Sequence, residues 1–143
     1  MGEALYSDAI VALAARKLSR LPEPDVSAVR NNPLCGDRVT LDLTVAEGIV
    51  TAAGGDARGC ALCCAGLAAL LDDLPGRKLA DLPAQIETAR RLVASGVSEP
   101  ESAFAAMLDR PIPRPRQKCV LLPVEALKEA LSSLSTNTQE YRA

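Results

Sequence analysis

Residues 39–50 have the sequence VTLDLTVAEGIV, which shows the clearest alternation of apolar and polar side chains in the chain. A period of two is typical of a strand that has one buried face. The apolar positions are Val39, Leu41, Leu43 and Val45. The Glu47-Gly48 pair then predicts a tight turn, and residues 49–51 begin a second strand, so this stretch predicts a β-hairpin.

A third strand is expected shortly after the hairpin. Gly54-Gly55-Asp56 predicts another turn, from which a short strand would lead into Gly59-Cys60. Residues 26–34, which precede the alternating stretch, are predicted to form a loop, because Asn31-Asn32-Pro33 disfavours both helix and strand. The sheet is therefore predicted to be a three-stranded antiparallel meander.

Helical patterns flank this sheet on both sides. They cover residues 6–18, 61–74, 83–94 and 98–108, and a last helix begins at Pro123 and frays after residue 135. Ser98 and Glu101 predict a capping box for the fourth helix. The proline-rich residues 110–116 predict an extended loop that leads to Cys119 just before the last helix. These elements predict an α+β fold, a sheet packed against several helices in a single domain over residues 1–143.

Composition narrows the function. The net charge is -2, the isoelectric point is about 5.2 and the sequence has no long run of Lys or Arg, which disfavours nucleic acid and anionic membranes as partners. The sequence contains no stretch of 18 apolar residues, the length that a membrane-spanning helix needs. The five cysteines cannot all pair and no secretory signal precedes them, so the chain is expected in the cytoplasm, where clustered cysteines indicate metal binding or catalysis.

Three cysteines and one aspartate lie in settings that suit a metal ligand. Cys35 is two residues from Asp37, Cys60 is expected directly before a helix N-terminus that favours the thiolate form, and Cys119 is expected before the last helix. Three thiolates and a carboxylate would complete a tetrahedral site without histidine, which this chain lacks. Thiolate-rich tetrahedral sites select zinc or iron–sulfur clusters.

Charge supports this site. Three thiolates and one carboxylate are offset only in part by a divalent cation, and basic residues that flank every motif would stabilise the remaining negative charge. These residues are Arg38, Arg58, Arg116 and Lys118. They could equally form an ordinary solvated face, and Asp37 taken alone could be a turn residue.

Two further cysteines have competing interpretations. Cys63 and Cys64 lie in an Ala- and Leu-rich helix, where a cysteine is usually a small core residue. Cys60 and Cys63 also match the C-x-x-C spacing of a redox pair, but the βαβ context of such a pair is missing.

The motifs taken together resemble a known family. Asn32-Pro33-x-Cys35-Gly36-Asp37, then Gly59-Cys60, then Arg116-x-Lys118-Cys119 before a helix, is similar to the U-type iron–sulfur scaffold family, which includes IscU, the NifU N-terminal domain and SufU. The resemblance extends over roughly residues 5–134, and Tyr6-Ser7 resembles the start of that family's first helix. The IscU branch has histidine where this chain has Lys118, and the insert before the last motif is long, so the SufU branch is the more similar.

The resemblance implies an IscU-like α+β fold and a set of ligands. Cys35, Asp37, Cys60 and Cys119 would bind zinc in the protein as isolated, or a [2Fe–2S] cluster. The implied partners are a SufS-type cysteine desulfurase, whose persulfide sulfur Cys35 would accept, and downstream iron–sulfur acceptor or scaffold proteins. Cys63 and Cys64 depart from the SufU pattern.

Two functions remain open within iron–sulfur cluster assembly. In the first, the four residues form a scaffold on which a cluster is built and passed on, with Asp37 as the labile ligand. In the second, the protein is a zinc-dependent sulfurtransferase in which zinc keeps Cys35 a reactive thiolate. A purely structural zinc site is a third possibility, although such sites more often use closely spaced pairs of ligands.

Overall fold

A computed structural model describes residues 7–33, 36–97 and 100–142, with residues 135–142 described as backbone only. Three strands and five α-helices form the fold. In chain order they are α1 (Asp8–Ala14), β1 (Val26–Asn31), β2 (Arg38–Ala46), β3 (Ile49–Arg58), α2 (Ala61–Asp73), α3 (Leu82–Ser95), α4 (Ala103–Ala106) and α5 (Gln117–Arg142). Short 3-10 turns precede α3 and α5. The architecture is α+β, as predicted.

The sheet is a three-stranded antiparallel meander with the order β1-β2-β3, which confirms the predicted topology. The residues that form the strands were not all predicted correctly. Val26–Asn31, expected to be a loop, is the first strand. Val26 and Ala28 point inward and are buried, while Ser27 and Val29 point outward. Pairing with β2 and burial of these two side chains outweigh the local turn signal, because Pro33 lies beyond the end of the ladder.

The predicted turn at Gly54-Gly55-Asp56 is also wrong, because these residues lie inside the continuous strand β3. Glycine is required at these two positions because neighbouring backbone atoms leave no space for a side chain. A Cβ atom at Gly55 would lie 2.3 Å from the carbonyl oxygen of Thr40, and one at Gly54 would lie 2.6 Å from that of Ser19. Glycine in a strand often marks such a close approach of two backbones rather than a turn.

The core lies between one face of the sheet and the helices. The inward-facing residues of β2 are completely buried against α2 and α5; they are Val39, Leu41 and Leu43. Helix α2 matches its predicted range. The leucines on its core-facing side are buried; they include Leu62, Leu67 and Leu70. Among the described helices, none is both long and apolar enough to cross a membrane.

The opposite face of the sheet contains a buried carboxylate. Asp42 on β2 is fully buried, and Arg20 donates two hydrogen bonds to it, from Nε at 2.6 Å and from a terminal nitrogen at 3.0 Å. The Leu21 N–H donates at 3.0 Å and the Ser27 hydroxyl at 2.5 Å. Burial alone would raise the pKa of Asp42, but these hydrogen bonds and the charge of Arg20 outweigh it and lower the pKa below its usual range.

Helix α5 begins earlier than predicted. It starts at Gln117, so Cys119 lies in its first turn instead of before it, and Pro123 lies inside the helix. An internal proline costs about 3 kcal/mol. Burial of Val120 and Val124 in the core offsets that cost, and Gly66 of α2 leaves room for Val120 and Pro123 at the helix contact. The helix also continues to Arg142, where fraying was expected.

Helices α1 and α4 are shorter than predicted. Helix α1 is capped by Ser7, whose hydroxyl accepts a hydrogen bond from the Ile10 N–H; Tyr6 lies outside the described residues. The cap of α4 is Ser102 instead of Ser98, which also lies outside the described residues. The carboxylate of Asp73 on α2 accepts hydrogen bonds from two further backbone N–H groups of α4. A tertiary contact therefore takes the place of the predicted capping box.

Candidate metal centre

Asp37 lies just before β2 with its side chain turned into the protein, and it is 2% exposed. One carboxylate oxygen, Oδ1, accepts a hydrogen bond from the backbone N–H of Cys60 at 3.1 Å. The other, Oδ2, accepts one from the Cys60 thiol at 3.4 Å. The carboxylate is therefore fixed at the N-terminus of α2, although its charge is buried without an adjacent cation in the contacts described.

Cys60 is the N-cap residue of α2, and its side chain makes no capping hydrogen bond. Its thiol is therefore not used to satisfy the helix end. The residue before it, Gly59, has a φ of 147°, a conformation that side chains disfavour. A Cβ atom there would lie 2.0 Å from Oδ1 of Asp37. Gly59 is thus required for Asp37 and Cys60 to contact each other. The sequence motif includes this glycine, but the reason for it is visible only in the structure.

Cys119 completes the group from the first turn of α5 and is 4% exposed. One ligand atom each of Asp37, Cys60 and Cys119 lies within 4.8 Å of the other two. Two helix N-termini, those of α2 and α5, therefore converge on one carboxylate and two thiols. The positive ends of the helix dipoles favour negative charge at this point, which suits thiolate ligands.

One separation within this group is similar to the one expected around a tetrahedral metal ion. With zinc–sulfur and zinc–oxygen bonds of about 2.3 and 2.0 Å, adjacent sulfur and oxygen ligands would be about 3.5 Å apart. The observed separation between Cys60 Sγ and Asp37 Oδ2 is 3.4 Å. Two soft sulfur donors and one carboxylate are also a donor type that zinc and iron–sulfur clusters accept.

Three of the four predicted ligands are thus brought together by the fold. The fourth, Cys35, lies outside the described residues. Its neighbours are held on both sides, because Gly36 N–H donates to the Asn32 carbonyl and Asn32 N–H donates to the Asp37 carbonyl, each at 2.8 Å. The complete set of four ligands remains a prediction.

The two additional cysteines differ in their surroundings. Cys63 is fully buried in the core. Burial, foremost, and the nearby acidic groups raise the pKa of its thiol far above the usual range. Cys64 is half-buried, and its thiol lies 3.9 Å from the Gly59 carbonyl oxygen. Burial and the neighbouring Cys60 and Asp37 raise its pKa as well.

The predicted basic residues lie around the group, mostly at the surface. Arg38 and Arg58 are directly opposite each other across β2 and β3, and the Arg58 side chain is 84% exposed with a distant contact to Asp56. Lys118 is exposed beside Cys119. They surround the site, and none of the ion pairs described joins them to Asp37.

A cavity of about 400 Å³ lies elsewhere, between α2, α3 and α5. Its lining is largely apolar, including Leu74, Phe104 and Leu127, and it contains none of the candidate ligands. The described residues that the sequence predicts as ligands therefore lie at the helix N-termini and not in this cavity.

Comparisons with known proteins agree with the fold and the motifs. A family model described as NifU-like N terminal domain matches residues 15–140. The chain is 30% identical over 136 residues to the iron–sulfur cluster assembly scaffold protein IscU of Thermotoga maritima, a match that covers 92% of this chain and 95% of the relative.

Solved structures show the same fold. The N-terminal part of a nitrogen-fixing NifU-like protein from Brucella abortus superposes with a TM-score of 0.81 at 25% identity, covering 94% of this chain and 96% of that one. FiSufU from Fervidobacterium islandicum superposes with a TM-score of 0.81 at 20% identity, covering 92% and 99%. Because the family model spans most of the sequence, the chain belongs to the family of NifU-like N-terminal domains, the U-type scaffold family that its cysteine motifs resemble.

Proposed function

We propose that this protein is a scaffold on which an iron–sulfur cluster is assembled, held by Cys35, Asp37, Cys60 and Cys119. The observation that supports this most is the convergence of Asp37, Cys60 and Cys119, whose ligand atoms lie within 4.8 Å of one another. The Thermotoga maritima relative bears the name of such a scaffold and aligns over nearly the whole chain.

The donor set suits a cluster that is bound temporarily. A carboxylate is a harder and weaker ligand to iron than a thiolate, so Asp37 is the member from which a cluster dissociates first. Cys60 N–H remains bonded to Oδ1 of Asp37, which leaves Oδ2 to bind and release the cargo. The [2Fe–2S] cluster is the cargo we favour.

Sulfur would arrive from a cysteine desulfurase of the SufS type. The Cys35 thiolate attacks the outer sulfur of the donor's persulfide, the donor's S–S bond breaks, and its cysteine leaves as a thiolate. This exchange changes no net oxidation state and leaves a persulfide on Cys35. Conversion of that persulfide sulfur to the sulfide of a cluster needs two electrons, which an external reductant of the thiol or ferredoxin class would supply. Downstream acceptor proteins would then take the finished cluster, and a reducing cytoplasm would keep the thiols available.

Anaerobic reconstitution with ferric iron and sulfide tests the scaffold function. These ions contain the oxidation states of an oxidised [2Fe–2S] core, so no further electrons are needed. We expect equimolar iron and acid-labile sulfide on the wild-type chain, and loss of most of both in Cys60→Ala and Cys119→Ala. Cys63→Ala, which removes a fully buried core thiol that is not among the proposed ligands, is the matched control. Equal iron loading of all three variants would contradict the proposal.

A zinc-dependent sulfurtransferase is the second candidate, because two thiols and one carboxylate within 4.8 Å of one another are a donor set that zinc also accepts. In that case zinc would keep the ligand thiols ionised, and Cys35 would pass sulfur on without building a cluster. Analysis of protein purified without oxygen separates the two. One zinc per chain without sulfide supports sulfur transfer, whereas iron with equal sulfide supports the scaffold.

A further inference from the structure

Cys60 and Cys64 are four positions apart at the start of α2, and the Cys64 N–H donates a hydrogen bond to the Cys60 carbonyl. Cys60 has the extended backbone of an N-cap residue, so the regular spacing of side chains within a helix does not place its thiol. The Cys64 thiol lies 3.9 Å from the carbonyl oxygen of Gly59, the residue at which Asp37 and Cys60 meet. This position at the same helix end allows Cys60 and Cys64 to bind the same ion.

The contact described for the Cys64 thiol is weak. The side chain is half-buried, and its contact with the Gly59 carbonyl is 3.9 Å long, which is weak even for sulfur. Cys64 is not part of the described group within 4.8 Å, so its sulfur stands beside the site instead of in it. Cys63 is different, because it is fully buried among core side chains.

We infer that Cys64 is a reserve ligand that occupies the coordination position of Asp37 when the carboxylate dissociates. The inference rests on the proposed function, since it concerns the same ion or cluster. With Cys64 the site has one donor more than a tetrahedral ion needs. The chain can then exchange a ligand internally, without releasing its metal and without a ligand from a partner.

The exchange is balanced. The bond between the metal and Asp37 Oδ2 breaks, a bond between the metal and Cys64 Sγ forms, and the thiol proton passes to water. No atom changes oxidation state. The positive charge of the bound metal would favour the thiolate once Cys64 reaches it.

Cobalt(II) alone is the probe, because each thiolate bound to cobalt adds to a sulfur-to-metal charge-transfer absorption. We expect Asp37→Ala to increase this absorption by about a third, since four thiolates replace three around the ion. The double variant Asp37→Ala/Cys64→Ala should return to the wild-type intensity. The matched control Asp37→Ala/Cys63→Ala should keep the increase.

Two results would overturn the inference: no increase in Asp37→Ala, or an increase that survives Cys64→Ala. Asp37→Asn is a second variant for the same cobalt measurement, and the same increase is expected. Its amide oxygen can still accept the hydrogen bond from the Cys60 N–H, which preserves the local fold. Far-UV circular dichroism checks that each variant is folded. Wild-type protein that binds cobalt without thiolate absorption would instead contradict the proposed function itself.

Discussion

At the scale of single residues, the site depends on contacts that bring one carboxylate against one helix end. Asp37 accepts both the N–H and the thiol of Cys60, and Gly59 leaves the space in which this happens. Spacing in the sequence predicted the candidate ligands, and the structure brings three of them, Asp37, Cys60 and Cys119, within 4.8 Å of one another. Spacing could not identify Gly59 as a positioning residue, since the conflict with Asp37 exists only in three dimensions.

Gly59→Ala should weaken metal binding. The added Cβ would lie 2.0 Å from Oδ1 and 3.0 Å from Cα of Asp37, so the backbone that positions Cys60 must shift and a thiolate ligand is displaced together with the carboxylate. We expect zinc affinity, measured by competition with a chelator, to fall by at least about tenfold, equivalent to about 1.4 kcal/mol. Gly76→Ala is the control, because its φ is also positive at 88° but its Cβ would meet open space. Equal affinities of the two variants would refute this role of Gly59.

Asp37→Ala should retain a reconstituted cluster longer than the wild type. The weakest ligand is removed, so transfer of iron to a chelator should slow several-fold even though the protein still binds the cluster. Stopped-flow absorbance measures this rate. Asp56→Ala, which removes an exposed carboxylate on β3, should not change it. If release is as fast in Asp37→Ala as in wild-type protein, the carboxylate is not the labile ligand.

At the scale of secondary-structure elements, patterns that depend on burial were predicted well and boundaries that depend on tertiary contact were not. Strand β2 could be predicted because its apolar residues alternate regularly, and helix α2 because it is a long, nearly continuous apolar run rich in Ala and Leu. Strand β1 was missed because only Val26 and Ala28 mark its buried face. The start of α5 was missed because Pro123 favours a first turn, while packing of the residues before it extends the helix to Gln117.

Gly55→Ala tests the corrected reading of β3. The new methyl group would lie 2.3 Å from the Thr40 carbonyl oxygen, so the β2–β3 register must open locally. Overpacking of this kind costs typically 1–3 kcal/mol, and we expect at least about 2 kcal/mol in urea unfolding. Gly48→Ala, at a turn with no atom within 4 Å of the added Cβ, should cost less. A loss no larger than that of Gly48→Ala would instead indicate a turn at Gly55, which is what the sequence pattern predicts.

At the scale of the whole molecule, the buried Asp42 joins parts of the chain that are distant in sequence. It connects β2 to Ser27 of β1 and to Arg20 and Leu21 of the segment that follows α1. The alternating sequence pattern placed Asp42 on the outer face of the sheet. It gave no sign that the carboxylate is buried, because its partners lie in a segment without a recognisable motif.

Stability should depend on pH through Asp42. Its folded pKa is lowered, so the ionised carboxylate stabilises the protein above the ordinary pKa of about 3.9, and this contribution is lost as the pH falls through the folded pKa. Asp42→Asn should therefore reduce the free energy of unfolding by roughly 2–3 kcal/mol at pH 7, and the difference from wild type should shrink progressively below pH 4. Urea unfolding of both proteins at pH 7 and at pH 3 measures this difference.

The control for this prediction is Asp72→Asn, which removes an exposed ion pair with Arg16. Exposed pairs contribute about 0–1 kcal/mol, so this variant should remain close to wild type. A difference between Asp42→Asn and wild type that stays constant from pH 7 to pH 3 would show that the charge of Asp42 does not stabilise the fold.

The most direct test of the metal centre is a crystal structure of the zinc-loaded protein with anomalous diffraction at the zinc edge. We predict one strong peak within about 2.5 Å of Sγ of Cys60, Sγ of Cys119 and a carboxylate oxygen of Asp37, with Cys35 as the fourth ligand. A peak at any other place, or zinc bound to only one of these three residues, would contradict the account.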